Sequence, residues 1–173
     1  ITLSDLRDEY INILQGKFGR HQNLSGIKLV DLAVTDFETR HHELLQQFDT
    51  VFALNVVEHI KDHALAIANC KKLLRPGGHL VILVPAYQAL YNTFDEELGH
   101  YRRYSRCSLN KLLQSQGLEV FHSRFFNSVG ILGWLINGSL LKKRLIPGGL
   151  LQTFDRLVPI IKGIDALTFR RIG

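Results

Sequence analysis

The sequence predicts an α/β fold in which strands and helices alternate around one open, mostly parallel sheet. Three neighbouring segments predict it. "FDTVFALNVV" (48–57) is an almost unbroken apolar run, as expected of a strand covered on both faces. "HALAIANCKKLL" (63–74) is an Ala/Leu-rich helical stretch behind Asp62, an N-cap residue, with lysines in its last turns. "RPGG" (75–78) then stops the helix, and "HLVILVPA" (79–86) reads as a second buried strand closed by Pro85. Strand, helix and strand at this spacing make a right-handed crossover unit.

The rest of the chain extends the alternation. "ITLSD" (1–5) is a short strand-like run, and "LRDEYINILQGKFG" (6–19) has helical apolar spacing with Gly19 as its C-cap. "IKLVDLAVTDF" (27–37) reads as a strand ending at Asp36-Phe37. "YQALYNTFDEELGHYRRYS" (87–105) reads as a polar loop, followed by a helix from Ser108 to Gln116 ended by Gly117, and by a strand "LEVFHSRFF" (118–126). From Asn127 the pattern changes to apolar runs broken by Gly, Pro and clustered bases. This divides the chain into an α/β core at 1–126 and a basic, mostly helical appendage or lid at 127–173.

The 173 residues suffice for one buried core, and 46% apolar residues fit a globular protein. The two cysteines, Cys70 and Cys107, have neither metal spacing nor disulfide density, which points to a reducing, cytoplasmic setting. No Met is present, so the chain reads as a piece of something longer. The net charge of +5 is uneven: residues 1–99 carry 9 Lys+Arg against 13 Asp+Glu, and residues 100–173 carry 12 against 3. A basic C-terminal half suggests an anionic partner, read here as a phosphorylated or lipid-linked molecule rather than nucleic acid. Val129 to Leu141 is too short to span a bilayer, so residues 129–162 would at most lie on a membrane's inner face.

Ligands of open α/β sheets bind beyond the C-terminal strand ends. That rule places Asp5, Asp36-Phe37, Asn55 to His59 and Pro85 to Tyr87 on one rim. An acid at a strand end suits ribose hydroxyls, and Asp36 with Phe37 suits an adenine. Glu58 beside His59 invites acid/base or metal chemistry, but two ligands make no metal site, and none is expected. The densest cluster is "GHYRRYS" (99–105), where His100, Arg102, Arg103 and Tyr104 offer a base, two bidentate cations and an aromatic wall.

The segment 48–86, "FDTVFALNVVEHIKDHALAIANCKKLLRPGGHLVILVPA", resembles the middle of the class I S-adenosylmethionine-dependent methyltransferases, through "EH", "LLRPGG" and the strands around them. "ALYNTFDEELGHYRRYS" and the later "FDRLVP" are similar to a bacterial subgroup often encoded beside, or fused to, family 2 glycosyltransferases. The resemblance covers most of residues 1–126. It implies a Rossmann-like sheet with helices on both faces, S-adenosylmethionine as cofactor, and methyl transfer to a small or lipid-linked, anionic acceptor. It places the cofactor against Asp5, Leu6, Asp36, Phe37, Asn55 and Val56, and the acceptor against Tyr87, Tyr91, His100, Arg102, Arg103 and Tyr104. His59 and His100 are the catalytic candidates. The family's glycine-rich loop would precede Ile1, so the chain is expected to be truncated there. Some relatives bind a metal using an acid three residues before "EH"; Asn55 stands in that place. The alternatives are a non-catalytic surface-binding or partner module on the same fold and, more remotely, a nicotinamide-dependent enzyme.

Overall fold

The computed structural model describes residues 1–125, 127–136, 157–159 and 163. Their contacts divide into two compact units, one of residues 1–52 and 62–81, the other of 53–61 and 82–173. Most of the appendage expected at 127–173 lies outside the described residues. So does most of the membrane-facing segment expected at 129–162.

In the first unit, β1 (Thr2–Asp5) pairs in parallel with β2 (Gly26–Leu29), in register from Thr2 against Gly26 to Asp5 against Leu29. The connection is α1 (Asp8–Phe18), which carries Asp8 and Glu9 in its first turn and Lys17 in its last, as the helix dipole favours. The predicted strand 27–37 is much shorter than expected. It ends at Leu29, and the chain turns where the Asp31 carboxylate accepts the Ala33 N–H at 2.8 Å. The side-chain amide of Asn69 then donates to the Leu32 and Val34 carbonyls at 3.0 and 2.9 Å, taking acceptors that would otherwise join a sheet ladder. Asp36 therefore precedes a short helix, α2 (Phe37–Arg40), rather than ending a strand.

Val30, Phe37, Leu44 and Leu73 form the core of this unit, with Leu32, Val34, Leu45, Phe48 and Val51 packed on it. Asn69 is wholly buried there. Replacing it with alanine leaves two carbonyls without their donor, and is expected to cost about 1–3 kcal/mol in chemical denaturation. A change near zero would mean that the carbonyls find water instead.

The strand–helix–strand order stands as expected. β3 (Phe48–Leu54) leads to α3 (His63–Leu73), where Asp62 Oδ1 accepts the Leu65 N–H at 3.0 Å as N-cap, and β4 (Leu74–Leu83) pairs with β3. β4 starts earlier than the sequence suggests, because Leu74 is already extended and "RPGG" runs within the strand. Gly77 holds φ +78°, a conformation glycine adopts without strain, and a Cβ on Gly78 would meet the Asp49 carbonyl at 3.1 Å, so Gly78 lets β4 approach β3 closely. The two-sided burial expected of residues 48–57 is not found. Phe52 is 64% and Leu54 50% exposed.

Cys70 is buried on α3, where desolvation pushes its thiol up to about 12, and Cys107 is exposed. In the second unit, the polar loop holds an unexpected helix, α4 (Thr93–Glu97), closed by a reciprocal cap between Asn92 and Asp95. α5 (Arg106–Ser115) is capped by Ser105, three residues ahead of the predicted Ser108, which instead completes the box from inside. Residues 118–125 form no strand, and α6 (Ser128–Trp134) follows.

Candidate functional site

The second unit holds a cleft of about 530 Å³, lined by the residues after β3 (Asn55, Glu58, His59), the end of β4 through Tyr87, the loop around His100 and Arg103, and a wall from Arg124 to Trp134. Asn55, Tyr87 and Asn127 all line it and all have left-handed backbones, at φ 52°, 61° and 68°. Asparagine tolerates that region, but for tyrosine it is strained, and such strain concentrates at functional sites. The Tyr87 ring stacks on Phe125 at 5.3 Å.

One buried ionic network shapes the floor. The Asp95 carboxylate, wholly buried, accepts Arg103 Nε at 2.8 and 3.0 Å, the Asn92 N–H at 3.0 Å, and lies 2.8 Å from His100 Nδ1. Arg103 also donates to the Ala86 carbonyl at 3.2 Å and lies over the Trp134 ring. Tyr91 donates its hydroxyl to the His100 carbonyl at 2.7 Å, which fixes the backbone that carries the imidazole. His100 in turn lies edge-on to His59, with ring centroids 4.6 Å apart.

In the sequence Glu58 stands beside His59 on the rim, where the pair invites acid/base or metal chemistry. Its side chain is wholly buried, and among the described residues neither carboxylate oxygen has a hydrogen-bond partner. Desolvation pushes its carboxyl above the ordinary glutamate value; its own backbone N–H and then the nearby His100 oppose this, and Asp95 adds to it. The signal in sequence was the pair "EH", but nothing local says that His100, 42 positions along, returns to it.

The structure gathers Asn55, His59, Tyr87, His100 and Arg103 around the cleft. Tyr91, Arg102 and Tyr104 do not line it. Arg102 donates to the Ile60 and Lys61 carbonyls at 2.7 and 2.8 Å, and Arg103 is held by Asp95, so both guanidiniums expected to greet an anionic acceptor are engaged by the protein itself. Tyr104 is buried with its phenol pushed up by desolvation, and its backbone joins Pro85 and Tyr87. Val56 is half-buried and outside the lining.

The remaining predicted cofactor residues belong to the first unit. Asp5 ends β1, with Oδ1 accepting the Arg7 N–H at 2.9 Å and Oδ2 making no hydrogen bond among the described residues. Leu6 beside it is exposed. Asp36 is ion-paired with Arg40 at 2.8 Å, and that hydrogen bond holds its carboxyl below the usual value. Phe37 is wholly buried in the core, so its ring is not presented to a ligand.

Residues 2–123 match the family model described as "Methyltransferase domain". Among relatives, a Mycolicibacterium smegmatis protein named "Probable S-adenosylmethionine-dependent methyltransferase" is 30% identical over 103 residues, covering 58% of this chain and 35% of its own. A "Ubiquinone biosynthesis O-methyltransferase" of Rhizobium etli is 25% identical over 126 residues, covering 73% of this chain and 38% of its own. The chain thus spans little more than a third of the length of these curated relatives. A solved structure of a SAM-dependent methyltransferase from Archaeoglobus fulgidus superposes with TM-score 0.55 at 16% identity, over 99% of this chain and 71% of that one. The [4+2]-cyclase SpnF superposes with TM-score 0.54 at 19% identity, over 70% of this chain and 43% of that one. These likenesses establish a Rossmann-like α/β fold and leave the reaction open.

Proposed function

The chain belongs to the class I S-adenosylmethionine-dependent methyltransferases, and from that premise we propose that it takes part in methyl transfer to an oxygen, nitrogen or carbon nucleophile of an acceptor seated in the Glu58–His100 cleft. The observation that carries the reading is the family match across residues 2–123.

The first-unit residues fit the cofactor in part. The unengaged Oδ2 of Asp5, at the end of a strand, has the acceptor chemistry that a ribose hydroxyl requires. Asp36 would reach an adenine amino group only by loosening its pair with Arg40, and Phe37 has no exposed face to offer. Bound S-adenosylmethionine supplies an electrophilic methyl on sulfur, whose bond to sulfur breaks as the bond to the nucleophile forms. The protein's part is chiefly alignment of the two partners.

The cleft wall of Leu90, Leu98, Phe125, Ile131 and Trp134 suits an acceptor with an apolar body, small or lipid-linked. With Arg102 and Arg103 engaged, an anionic group on that acceptor would meet Arg124. Among the described residues no helix is long and apolar enough to cross a membrane. Contact with a membrane's inner face, or a link to a glycosyltransferase, rests on sequence alone.

Calorimetric titration of S-adenosylmethionine tests the reading. Binding on the order of micromolar is expected, with Asp5→Ala weakening it at least about tenfold, the worth of one charge-assisted hydrogen bond. No heat from the cofactor at any concentration would leave the domain as a non-catalytic module.

A further inference from the structure

We propose that the nucleophile methylated in this cleft is an amine, which enters as an ammonium group held by Glu58 and His100 against the rings of Tyr87 and Phe125. The proposal rests on the methyl-transfer reading and names the class of acceptor. Only the reacting group is assigned; the remainder of the acceptor lies along the apolar wall. Glu58 lines the cleft and is wholly buried, and among the described residues neither carboxylate oxygen has a hydrogen-bond partner. A buried carboxylate without a donor is costly, so its unmet need marks the chemistry of the group that belongs beside it.

Charge decides between donors. Asp95 is matched by Arg103, while the Arg102 guanidinium is turned to the Ile60 and Lys61 carbonyls. Glu58 is left as the carboxylate of the network with no cation on it among the described residues. A neutral hydroxyl would satisfy one oxygen and leave the charge; an ammonium brings three donors and the opposite charge. His100 adds another acceptor. Asp95 already accepts from Arg103 and the Asn92 N–H, and a carboxylate only accepts, so Nδ1 carries the proton 2.8 Å away and Nε2 of the neutral ring keeps its lone pair. A Glu58 oxygen and a His100 ring nitrogen lie within 4.8 Å of each other. Two acceptors of one tetrahedral ammonium, each about 2.8 Å from it, stand about 4.6 Å apart.

The walls suit the same group. Tyr87 and Phe125 line the cleft as a stacked pair, and aromatic faces attract cations as well as apolar bodies. An ammonium has no lone pair to attack with, so it first gives one proton to His100 Nε2, and Asp95 on the opposite nitrogen stabilises the imidazolium that forms. The freed amine pair then bonds to the methyl carbon as the carbon–sulfur pair returns to sulfur. The products are a methylated ammonium and a neutral thioether, and His100 passes its proton to water.

Trp134 is the chain's only tryptophan and lines the cleft, so its fluorescence reports occupancy. The full chain is titrated at neutral pH with benzylamine, benzyl alcohol and benzoate, which share a ring and differ in the group presented. Benzylamine is expected to give a saturable change with a Kd of about millimolar or below, at least about tenfold tighter than the alcohol, with benzoate weakest. Glu58→Gln should bring the amine down to the affinity of the alcohol, whose continued binding shows the cleft intact. If that variant does not fold, the comparison of three probes on the unmutated chain decides alone. An amine bound no more tightly than the alcohol, a preference for benzoate, a preference that survives Glu58→Gln, or no saturable change with benzylamine would overturn the proposal. Amine preference without S-adenosylmethionine binding would sink the methyl-transfer reading and leave an amine site, whereas cofactor binding without amine preference would sink the amine assignment alone.

Discussion

Replacing Asp95 with alanine is expected to destabilise the protein by about 3–5 kcal/mol, the cost of leaving one partner of a buried ion pair alone. The side chain accepts from Arg103, His100 and the Asn92 backbone at once. Alanine would strand the Arg103 guanidinium, whose side chain is only 7% exposed, and open the α4 cap. Asp95→Asn keeps the shape and one acceptor oxygen, so it should lose less. Urea denaturation followed by far-ultraviolet circular dichroism reads both. A loss below about 1 kcal/mol for the alanine variant would mean that water replaces the carboxylate and that the network does not organise the cleft.

Phe37→Ala should cost a similar amount, about 3–5 kcal/mol, because the ring is wholly buried among Val30, Leu44 and Leu73 and its removal opens a cavity. Phe37→Leu keeps most of the volume and should cost about 1.5 kcal/mol or less. The pair of variants separates two roles for one residue. If the ring serves the core alone, Phe37→Leu keeps its affinity for S-adenosylmethionine. A Leu variant of near-normal stability that no longer binds the cofactor would show that the ring leaves the core to meet an adenine.

Local chemistry carried much of the sequence reading. Asp62 caps α3 through a bond to the residue three positions on, and the alternation around it needs only apolar spacing, so the strand–helix–strand order was legible. The end of β2 is not legible in the sequence, because the residues after it are held by Asn69, a side chain some 35 positions away that takes the Leu32 and Val34 carbonyls. The helix α4 is hidden in the sequence because its helix-forming signal is a cap between two polar residues inside a polar stretch. The arginines of "GHYRRYS" looked like ligand contacts because residue type was visible and their backbone and carboxylate partners were not. His59 and His100 are both catalytic candidates in the sequence, with nothing local to bring them together. What joins them to Glu58 is a loop closure between the Tyr101 N–H and the Glu58 carbonyl, which no window on the sequence contains.

The contrast between the two cysteines makes the molecule selectively addressable. A maleimide dye at neutral pH meets one reactive thiol, Cys107 on the first turn of α5, while Cys70 stays a protonated, enclosed hydrophobe. A fluorophore can therefore be installed on the unmutated chain at a single known position. α5 begins directly after the GHYRRYS loop, so the dye's emission can follow that loop as cofactor or acceptor is added, without the loop itself being altered.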